Sequence, residues 1–482
     1  MLQLAARRCV PRRACLIPLR RLATATPTPN LSRIKLLDDL TTRGLIADVT
    51  RPDKLAEHLE QGKQTVYAGI DPTAPALHVG HLIPLMVLLH FQMRGHRIIS
   101  LIGGATALVG DPSGRTEERT PVDPSVTEGN MHTLTEHVTS ILRNAHQYAK
   151  TRQPVNPGTS LATLQVMNNR SWLQNIGLLE FLQTVGSQVR VNTMLARESV
   201  RSRLESHKGV SFTEFTYQLL QAYDFLWLFK NRDCTIQVGG SDQWGNILAG
   251  LEMINREHPR DLLQQSDLPE QGFGITTPLL TTASGQKFGK SAGNAVWLDA
   301  KMTSVFDFYQ FFLRTADADV ERQLLLLTFL PVEDVKKLVL EHFEAPELRK
   351  AQALLADEVT SMVHGERGIT QARTITKIIF GSHDYHTLKA SDIVTAFAGD
   401  SRLKFVSEHD MHNETVGGLA VLHQLIPSKS EASRLVKAQG FYMNNQVMDK
   451  ISNKIDPGQL IDGRVAILRT GKSKHLILVV NQ

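Results

Sequence analysis

The stretch VYAGIDPTAPALHVGHL at residues 66–82 constrains the fold more than any other part of the chain. It predicts an apolar strand, a turn around Asp71, and a helix that opens on the HVGH sequence at 78–81. A helix N-terminus placed after a strand offers free N–H groups to an anion such as phosphate. The two histidines would share one face, and Gly80 would let a flat ring approach the backbone. The alternative is a capped core helix with two incidental histidines.

The composition is that of an ordinary globular protein, with 42% hydrophobic and 21% charged residues among 482. This length accommodates two or three domains with cores of their own. No apolar run reaches the roughly 18 residues that a membrane span requires, so we expect no membrane association. The net charge of +5 favours a polyanionic partner, although part of the excess lies near the N-terminus.

The first 25 residues are rich in arginine, and the first acidic residue of the chain is Asp38. This pattern predicts a mitochondrial presequence over residues 1–25, because a secretory signal would have a longer uninterrupted apolar core. A basic arm that binds nucleic acid is the alternative. Cys9 and Cys15 lie in this leader, which leaves Cys234 alone. Neither a disulfide framework nor a cysteine metal site is then expected.

The segments after residue 95 continue the alternation of strands and helices that is typical of α/β folds. HRIISLIGGATALVGD at 96–111 predicts a second strand that runs into glycines, and its continuous apolar character favours a parallel strand covered on both faces. LATLQVMNN at 161–169 predicts a third. The turn GDPSGR at 110–115 would place Asp111 and Arg115 at the carboxyl edge of the sheet, where open α/β sheets bind ligands.

A later helix, SFTEFTYQLLQAYDFLWLF at 211–229, carries Tyr217, Gln221 and Asp224 at spacings of four and three residues. The three polar side chains therefore share one helix face. An acid among so many aromatic residues is costly to bury unless something bonds to it. Asp224 is thus expected either to reach water or to hold a ligand.

Two further stretches suggest contacts with a nucleotide. A predicted strand, CTIQVGG, leads into SDQWGN at 241–246, where Gly240 permits close approach and Asp242 could accept hydrogen bonds from ribose. KFGKS at 287–291 then offers Lys287 and Lys290 on a loop that contains a glycine. A charged loop is commonly just solvated. Opposite the two histidines, however, it would complete a clamp for a triphosphate.

The segment SWLQNIGLLEFLQTVG at 171–186 has apolar residues at helical spacing, including Trp172 and Phe181. Such a stripe fits a core-facing helix or an oligomer interface, and the sequence leaves both open.

Changes of pattern along the chain predict its domain organisation. Residues 32–295 predict the α/β part, 300–381 show helical periodicity throughout, and 382–420 are weakly patterned and predict a linker with at most one short helix. Residues 421–482 form a small module in which lysine and arginine outnumber the acids. A basic module of this kind favours an RNA backbone as its ligand.

Taken together, these motifs resemble the class I aminoacyl-tRNA synthetases, and specifically the bacterial-type tyrosyl-tRNA synthetases that also serve mitochondria. HVGH at 78–81 is similar to the family's HIGH element and KFGKS at 287–291 to its KMSKS loop. GDPSG at 110–114, the helix at 211–225 and QVGGSDQWGN at 237–246 match tyrosyl enzymes more closely than tryptophanyl ones. The resemblance implies an α/β fold with a Rossmann-like parallel-sheet catalytic domain, then an all-α anticodon-binding domain and a small α+β S4-like RNA-binding domain.

The resemblance also implies roles for individual residues. Tyr67 and Asp224 would hold the phenolic hydroxyl of tyrosine, and Asp111, Tyr217 and Gln221 its ammonium group. Asp242 would bind the ribose, and Gln243 would lie against the activated carboxylate. The full set implied for tyrosine is Tyr67, Asp71, Asp111, Tyr217, Gln221, Asp224 and Gln237. The set implied for ATP is Gly69, His78, Gly80, His81, Gly240, Asp242, Gln243, Lys287 and Lys290. The catalytic set is His78, His81, Arg115, Arg119, Lys287 and Lys290, with no metal-ligating residue.

These roles imply a tyrosine–tRNA ligase that uses ATP with Mg²⁺, holds no tightly bound cofactor, and charges mitochondrial tRNA(Tyr) as a homodimer in the mitochondrial matrix. One rival is a protein that binds group I introns and assists their splicing, as some fungal relatives do. The others are a tryptophanyl enzyme and a small nucleotidyltransferase, against which Asp224 and the S4-like tail argue. Two departures stand out. Ala68 replaces a cysteine that touches the ribose in many bacterial members, and Arg115 replaces a lysine.

Overall fold

The computed structural model describes residues 35–113, 124–152, 164–205, 209–257, 271–281, 295–380, 385, 388–471 and 474–481. The predicted presequence lies outside these ranges, as do Arg115, Arg119, Lys287 and Lys290. Among the helices within them, none is both long and apolar enough to cross a membrane.

The strands and helices of the described ranges follow in chain order. The strands are β1 (Asp48–Val49), β2 (Thr65–Ile70), β3 (Arg97–Ile102), β4 (Leu164–Asn168), β5 (Cys234–Gly240), β6 (Phe273–Thr277), β7 (Leu403–Val406), β8 (Phe441–Met443), β9 (Gln446–Val447), β10 (Val465–Thr470) and β11 (Lys474–Val480). The helices up to the end of the α/β part are α1 (Leu36–Thr42), α2 (Pro52–Gln61), α3 (Leu82–Met93), α4 (Thr106–Val109), α5 (Pro124–Arg152), α6 (Arg170–Leu173), α7 (Leu178–Thr184), α8 (Val191–Leu195), α9 (Glu198–Glu205), α10 (Phe212–Arg232) and α11 (Trp244–Glu257). Those that follow are α12 (Val305–Leu313), α13 (Asp317–Leu327), α14 (Val332–Glu344), α15 (Lys350–Phe380), α16 (Ala390–Ala396), α17 (Glu408–Asn413), α18 (Val416–Leu422) and α19 (Lys429–Lys437).

The α/β part is built on a six-stranded sheet in the order β1-β6-β5-β2-β3-β4. All neighbours pair in parallel except the edge strand β1, which is antiparallel to β6. The chain runs outward from β2 to β3 and β4, whereas β5 and β6 add on the other side of β2. The order therefore reverses between β2 and β5, and a crevice opens at their carboxyl ends. The predicted Rossmann-like parallel sheet is confirmed.

Residues 305–380 form the helices α12 to α15, as their periodicity predicts, but they do not stand apart from the sheet. One continuous apolar cluster contains Val66 and Ile98 of the sheet together with Phe308, Phe329 and Leu355 of the helical part. The helical part and the sheet therefore share one core across the predicted domain boundary. The sequence hides this because helical periodicity shows which face of a helix is buried, not what covers it.

A buried polar cluster strengthens the same junction. Asp39 of α1 accepts hydrogen bonds from Arg43 Nε at 2.8 Å and from Arg94 at 2.7 Å, and lies 3.3 Å from His90 Nδ1 of α3. Burial opposes ionisation of Asp39, yet the hydrogen bond from His90 and the charges of the arginines hold its pKa well below its usual range. Arg43 also donates to the carbonyl oxygen of Thr328 at 3.1 Å. The cluster thus joins α1, α3 and the helical part.

The C-terminal part contains a second sheet, in the order β7-β11-β10-β8-β9. β7 pairs in parallel with β11 and comes from residues 403–406, inside the segment predicted to be a linker. The linker prediction at 382–420 is wrong for its described residues, which also form α16, α17 and most of α18. These elements are short, so their periodicity is weak, yet Met411 and Leu419 belong to the same core as Phe441. The C-terminal module therefore begins well before residue 421.

Candidate functional site

A cavity of about 350 Å³ lies at the carboxyl ends of β2 and β5, where the strand order reverses. Every described residue that the sequence predicts to belong to the site lines this cavity. They are Tyr67, Gly69, Asp71, His78, Gly80, His81, Asp111, Tyr217, Gln221, Asp224, Gln237, Gly240, Asp242 and Gln243. The structure brings them together from four separate stretches of chain. The remaining candidates, Arg115, Arg119, Lys287 and Lys290, lie outside the described residues.

Asp224 lines the cavity and is only 3% exposed. Its carboxylate accepts a hydrogen bond from Trp172 Nε1 at 2.7 Å and another from Asn169 Nδ2 at 2.9 Å. Burial raises the pKa of Asp224 from 3.8 to about 7, and these two donors limit the rise. The group therefore titrates near neutral pH.

Two further buried polar atoms lie beside it. Tyr67 and Gln237 are register partners on β2 and β5. Neither the Tyr67 hydroxyl nor the Gln237 carbonyl oxygen has a hydrogen-bond partner among the described residues. A buried polar atom without a partner is costly, so a ligand that carries a hydroxyl group would compensate for it.

Two more carboxylates line the same cavity. Asp71 accepts from the Tyr217 hydroxyl at 2.8 Å and from Thr106 Oγ1 at 2.7 Å. Gly103 permits this arrangement, because a Cβ atom there would lie 1.9 Å from Asp71 Oδ1. Asp111 accepts from Gln243 Nε2 at 2.6 Å. Neutral donors thus orient both carboxylates, and a wall of oriented acceptors suits a cation.

An amide group connects this wall to α10. Asn246 Nδ2 lies 3.1 Å from Gln221 Oε1, 3.2 Å from Gln243 Oε1 and 3.4 Å from Asp111 Oδ1. The structure therefore orients Gln221 and Gln243 through one shared donor.

Four further residues position the site without having been predicted from the sequence: Thr106, Asn169, Trp172 and Asn246. Trp172 was assigned to an apolar stripe, where its N–H group gave no signal. Asn169 was detectable, because it follows β4 and so belongs at the same sheet edge as the other site residues. A sequence pattern places such a residue at an edge but does not show which side chain it bonds.

The HVGH sequence forms a 3-10 turn at Val79–His81, and the α-helix α3 begins only at Leu82. The two histidines themselves cap this turn. His78 Nδ1 accepts from the backbone N–H of Gly80 at 3.1 Å, and His81 Nδ1 lies 3.2 Å from the backbone nitrogen of His78. Their ring centroids are 4.1 Å apart, which agrees with the predicted shared face.

Both histidines are neutral at physiological pH. Burial lowers the pKa of His78, while burial and then the charge of His78 lower the pKa of His81 to about 3. Because Nδ1 of His78 is an acceptor, its ring proton resides on Nε2. His78 can therefore donate a hydrogen bond into the cavity.

The chain returns to this turn after the predicted lysine loop. The backbone N–H of Val79 donates to Val296 at 2.9 Å, and that of Leu298 donates to Leu77 at 2.8 Å. Between them, the Trp297 ring meets His78 edge-on at 6.1 Å. The histidine turn is thus fixed directly to the segment that follows residues 287–291.

Comparison with known proteins agrees with this arrangement. The family model described as "tRNA synthetases class I (W and Y)" matches residues 59–381. The chain is 41% identical over 454 residues to the mitochondrial tyrosine–tRNA ligase of Drosophila melanogaster, with 92% of this chain and 94% of that protein covered. The chain belongs to the tyrosyl-tRNA synthetases.

Two further relatives support this assignment. The mitochondrial enzyme of Saccharomyces cerevisiae is 42% identical over 449 residues, covering 92% of this chain and 88% of that protein. The structure of a C-terminally truncated mitochondrial tyrosyl-tRNA synthetase from Aspergillus nidulans is 38% identical, with a TM-score of 0.65 over 72% of this chain and 95% of that one. The predicted enzyme class, a tyrosine–tRNA ligase, is confirmed, and ATP is a substrate by family membership.

The raised pKa of Asp224 predicts a pH-dependent stability. The folded protein keeps a proton on Asp224 that the unfolded chain releases at lower pH, so stability is lost as pH rises from about 4 through about 7. Asp224→Asn removes this titration. Relative to wild type, the variant's free energy of unfolding should rise by roughly 2 kcal/mol between pH 5 and pH 8. Urea unfolding at several pH values measures the difference. Asp233→Asn, at an exposed position that ends α10, is the control and should show no such trend.

Proposed function

We propose that this cavity binds L-tyrosine with its phenol at Tyr67 and Asp224 and joins its carboxylate to AMP from ATP, before transfer to mitochondrial tRNA(Tyr). Asp224 carries the proposal, because it is a buried carboxylate that accepts from two neutral donors. It lies beside the Tyr67 hydroxyl, which has no hydrogen-bond partner in the part of the chain that the structure describes. A phenol would donate to the Asp224 carboxylate and accept from Tyr67, which satisfies both groups at once. Phenylalanine would leave them unpaired, so the same geometry supports specificity.

The ammonium group of tyrosine belongs at the other carboxylates. Asp71 and Asp111 line the same cavity as Asp224, and the Tyr217 hydroxyl and Gln221 amide oxygen add neutral acceptors. A cation held between oriented carboxylates leaves the amino acid's own carboxylate facing the nucleotide. Gln243, which donates to Asp111, lies beside that position.

ATP belongs at the histidine turn. Gly80 offers a flat approach for adenine. The backbone N–H groups of Val79, Gly80 and His81 are already bonded within the fold, so the Nε2–H of His78 is the donor offered to a phosphate oxygen. Asp242 supports ribose binding, because its carboxylate is an acceptor for hydroxyl groups and lines the cavity beside Gly240. A Cβ atom at Gly240 would lie 2.5 Å from Asp242 Oδ1, so only glycine leaves room for the carboxylate there. Mg²⁺ would enter with the ATP as part of the substrate.

The first step is a displacement at the α-phosphorus. The tyrosine carboxylate attacks, the bond to the bridging oxygen breaks, and pyrophosphate leaves with the electron pair. His78 donates a neutral hydrogen bond where negative charge develops, and Arg115, Arg119, Lys287 and Lys290 would add positive charge. A hydroxyl of the terminal adenosine of the tRNA then attacks the tyrosyl carbonyl, and AMP leaves. Positioning and charge stabilisation suffice, so no nucleophilic side chain is required.

The C-terminal module supplies the proposed RNA contacts. Lys429, Arg434 and Lys437 lie exposed along α19, and Lys450 and Lys454 are exposed nearby in the chain. Arg469 lies over the Tyr442 ring, 3.7 Å from its centroid, which keeps a cation and an aromatic face together on one sheet. Such groups suit phosphates and unstacked bases, which supports an S4-like RNA-binding role.

Exposed apolar side chains support the proposed homodimer. Leu178 and Leu179 of α7 are 73% and 75% exposed, and Phe212 at the start of α10 is 77% exposed. Val191 and Leu195 of α8 are exposed as well. Large apolar side chains this exposed favour a protein interface. The stripe at 171–186 therefore divides, with Trp172 and Leu173 in the core and Leu178, Leu179 and Leu182 at the proposed interface. The mitochondrial relatives support a mitochondrial location, and we place the enzyme in the matrix, where its tRNA is charged.

The phenol contact is tested by Asp224→Asn. Losing a hydrogen bond to a charged acceptor should lower kcat/KM for tyrosine by roughly 10- to 100-fold in ATP–pyrophosphate exchange, with KM for ATP nearly unchanged. Discrimination against phenylalanine should fall in parallel. Unchanged exchange with tyrosine would show that Asp224 does not hold the substrate. Asp233→Asn again serves as the exposed control on the same helix.

The histidine turn is tested by His78→Ala. If His78 bonds phosphate mainly in the transition state, the rate of adenylate formation should fall roughly 100-fold while equilibrium binding of tyrosine stays nearly intact. Pre-steady-state quenching gives the rate, and equilibrium dialysis gives the affinity. His78→Asn keeps a side-chain acceptor for the Gly80 N–H, so it separates a capping role from a catalytic one. Tyrosine affinity that falls in step with the rate would contradict the assignment.

The C-terminal contacts are tested by a double substitution, Lys429→Gln with Lys437→Gln. Charging should require more tRNA, and the slope of log affinity against log salt should shrink by about one for each lost phosphate contact. Exchange should not change, because no cavity residue lies in this module. Lys35→Gln with Lys54→Gln removes the same charge from exposed lysines near the sheet and is the matched control. Charging that is equal in both variants at every salt concentration would overturn the proposal.

A further inference from the structure

Helix α10 presents an acid and an aromatic ring one turn apart. Asp224 and Trp227 are three residues apart and so lie on neighbouring turns of one helix face. Trp172, from α6, contacts both of them. Its Nε1 donates to Asp224 Oδ1 at 2.7 Å, and its ring stacks on Trp227 with centroids 4.1 Å apart and an interplanar angle of 9°.

The two contacts together fix the orientation of the Trp172 indole. A hydrogen bond alone lets the ring rock about the N–H direction, whereas a parallel stack removes that freedom. Trp227 is only partly buried, and the guanidinium of Arg232 lies 5.5 Å from its ring centroid. The Trp227 ring is thus held in place by a second residue at the end of α10, and Trp227 does not line the cavity.

We propose that Trp227 is a positioning residue for tyrosine selection, which holds the Trp172 N–H on Asp224 and so keeps that carboxylate ready to accept the substrate hydroxyl. This inference rests on the proposed binding of tyrosine at Asp224. Trp227 touches neither substrate, and its influence passes through Trp172.

Loss of the stack between Trp172 and Trp227 should affect only the part of the site that binds the phenol end of tyrosine. If the stack is lost, Trp172 rotates away for part of the time and Asp224 loses one of its two donors. A carboxylate with fewer donors is harder to ionise, so its pKa rises further. The other titratable groups that interact electrostatically with Asp224 are Asp71, Tyr67 and Tyr223, and all three remain as they are. Tyrosine recognition should weaken, whereas ATP recognition at the histidine turn should not.

The test compares Trp227→Ala with Trp227→Phe and with Leu220→Ala in the full chain. Leu220 is a partly buried residue that packs in the same apolar cluster of α10 and does not line the cavity, so it controls for lost packing. For Trp227→Ala we expect KM for tyrosine in ATP–pyrophosphate exchange to rise roughly tenfold, with kcat and KM for ATP within about twofold of wild type. Trp227→Phe should restore KM for tyrosine to within about threefold.

Two readouts separate positioning from a general structural effect. The acidic limb of the pH profile of kcat/KM for tyrosine should move to higher pH in Trp227→Ala and stay in place in Leu220→Ala. The circular dichroism band from the coupled indoles should disappear in Trp227→Ala and in Trp172→Phe. Each variant is first checked by a cooperative melt.

The outcomes distinguish this inference from the proposed function. If Asp224→Asn impairs tyrosine activation but Trp227→Ala behaves as Leu220→Ala does, the positioning role is wrong and the tyrosine site stands. If Asp224→Asn has no effect on tyrosine, the proposed site fails and the positioning role fails with it. A rise in KM for ATP equal to that for tyrosine would also overturn the inference, because it would indicate a general distortion.

Discussion

The site depends on one carboxylate kept in the protein interior. A buried acid is costly, and Asp224 stays near the balance between its two protonation states because two neutral donors offset part of the cost of burial. A cation at this place would have stabilised the charge more strongly and would also have competed with a neutral hydroxyl. Asn169 and Trp172 are therefore suited to a site that must recognise a phenol rather than an ammonium group.

Strand order determines how the rest of the cavity is assembled. Because β2 lies between β3 and β5, residues from positions 67–81 meet residues from 217–243 across a single crevice. Acids and their neutral donors occupy one region, and the histidine turn occupies another. The separation gives an amino acid and a nucleotide different electrostatic surroundings within one cavity of about 350 Å³.

Much of this was predictable from the sequence, for identifiable reasons. The strands at 65–70 and 97–102 lie in apolar runs that end in turn signals, and open α/β sheets bind ligands at the carboxyl ends of their strands, so Asp111 could be placed at the binding edge. Trp172 and Asn246 could not be assigned, because their roles are hydrogen bonds across the fold that leave no periodic trace. The segment at 382–420 was misread for a related reason. β7 is stabilised by pairing with β11, about seventy residues away, and the local sequence pattern does not indicate such a distant partner.

The sheet and the helices α12 to α15 share one core, so ligand binding in the cavity should affect residues that lie far from it. Residues such as Phe308 and Leu355 line no part of the cavity, yet they belong to the same apolar cluster as Val66 and Ile98. Segments that share a core tend to open together, and a ligand that binds only the closed form suppresses that opening throughout. Occupation of the cavity should therefore slow amide hydrogen exchange far along α15. The core around Phe441 is a distinct cluster, so its amides should exchange at a rate of their own.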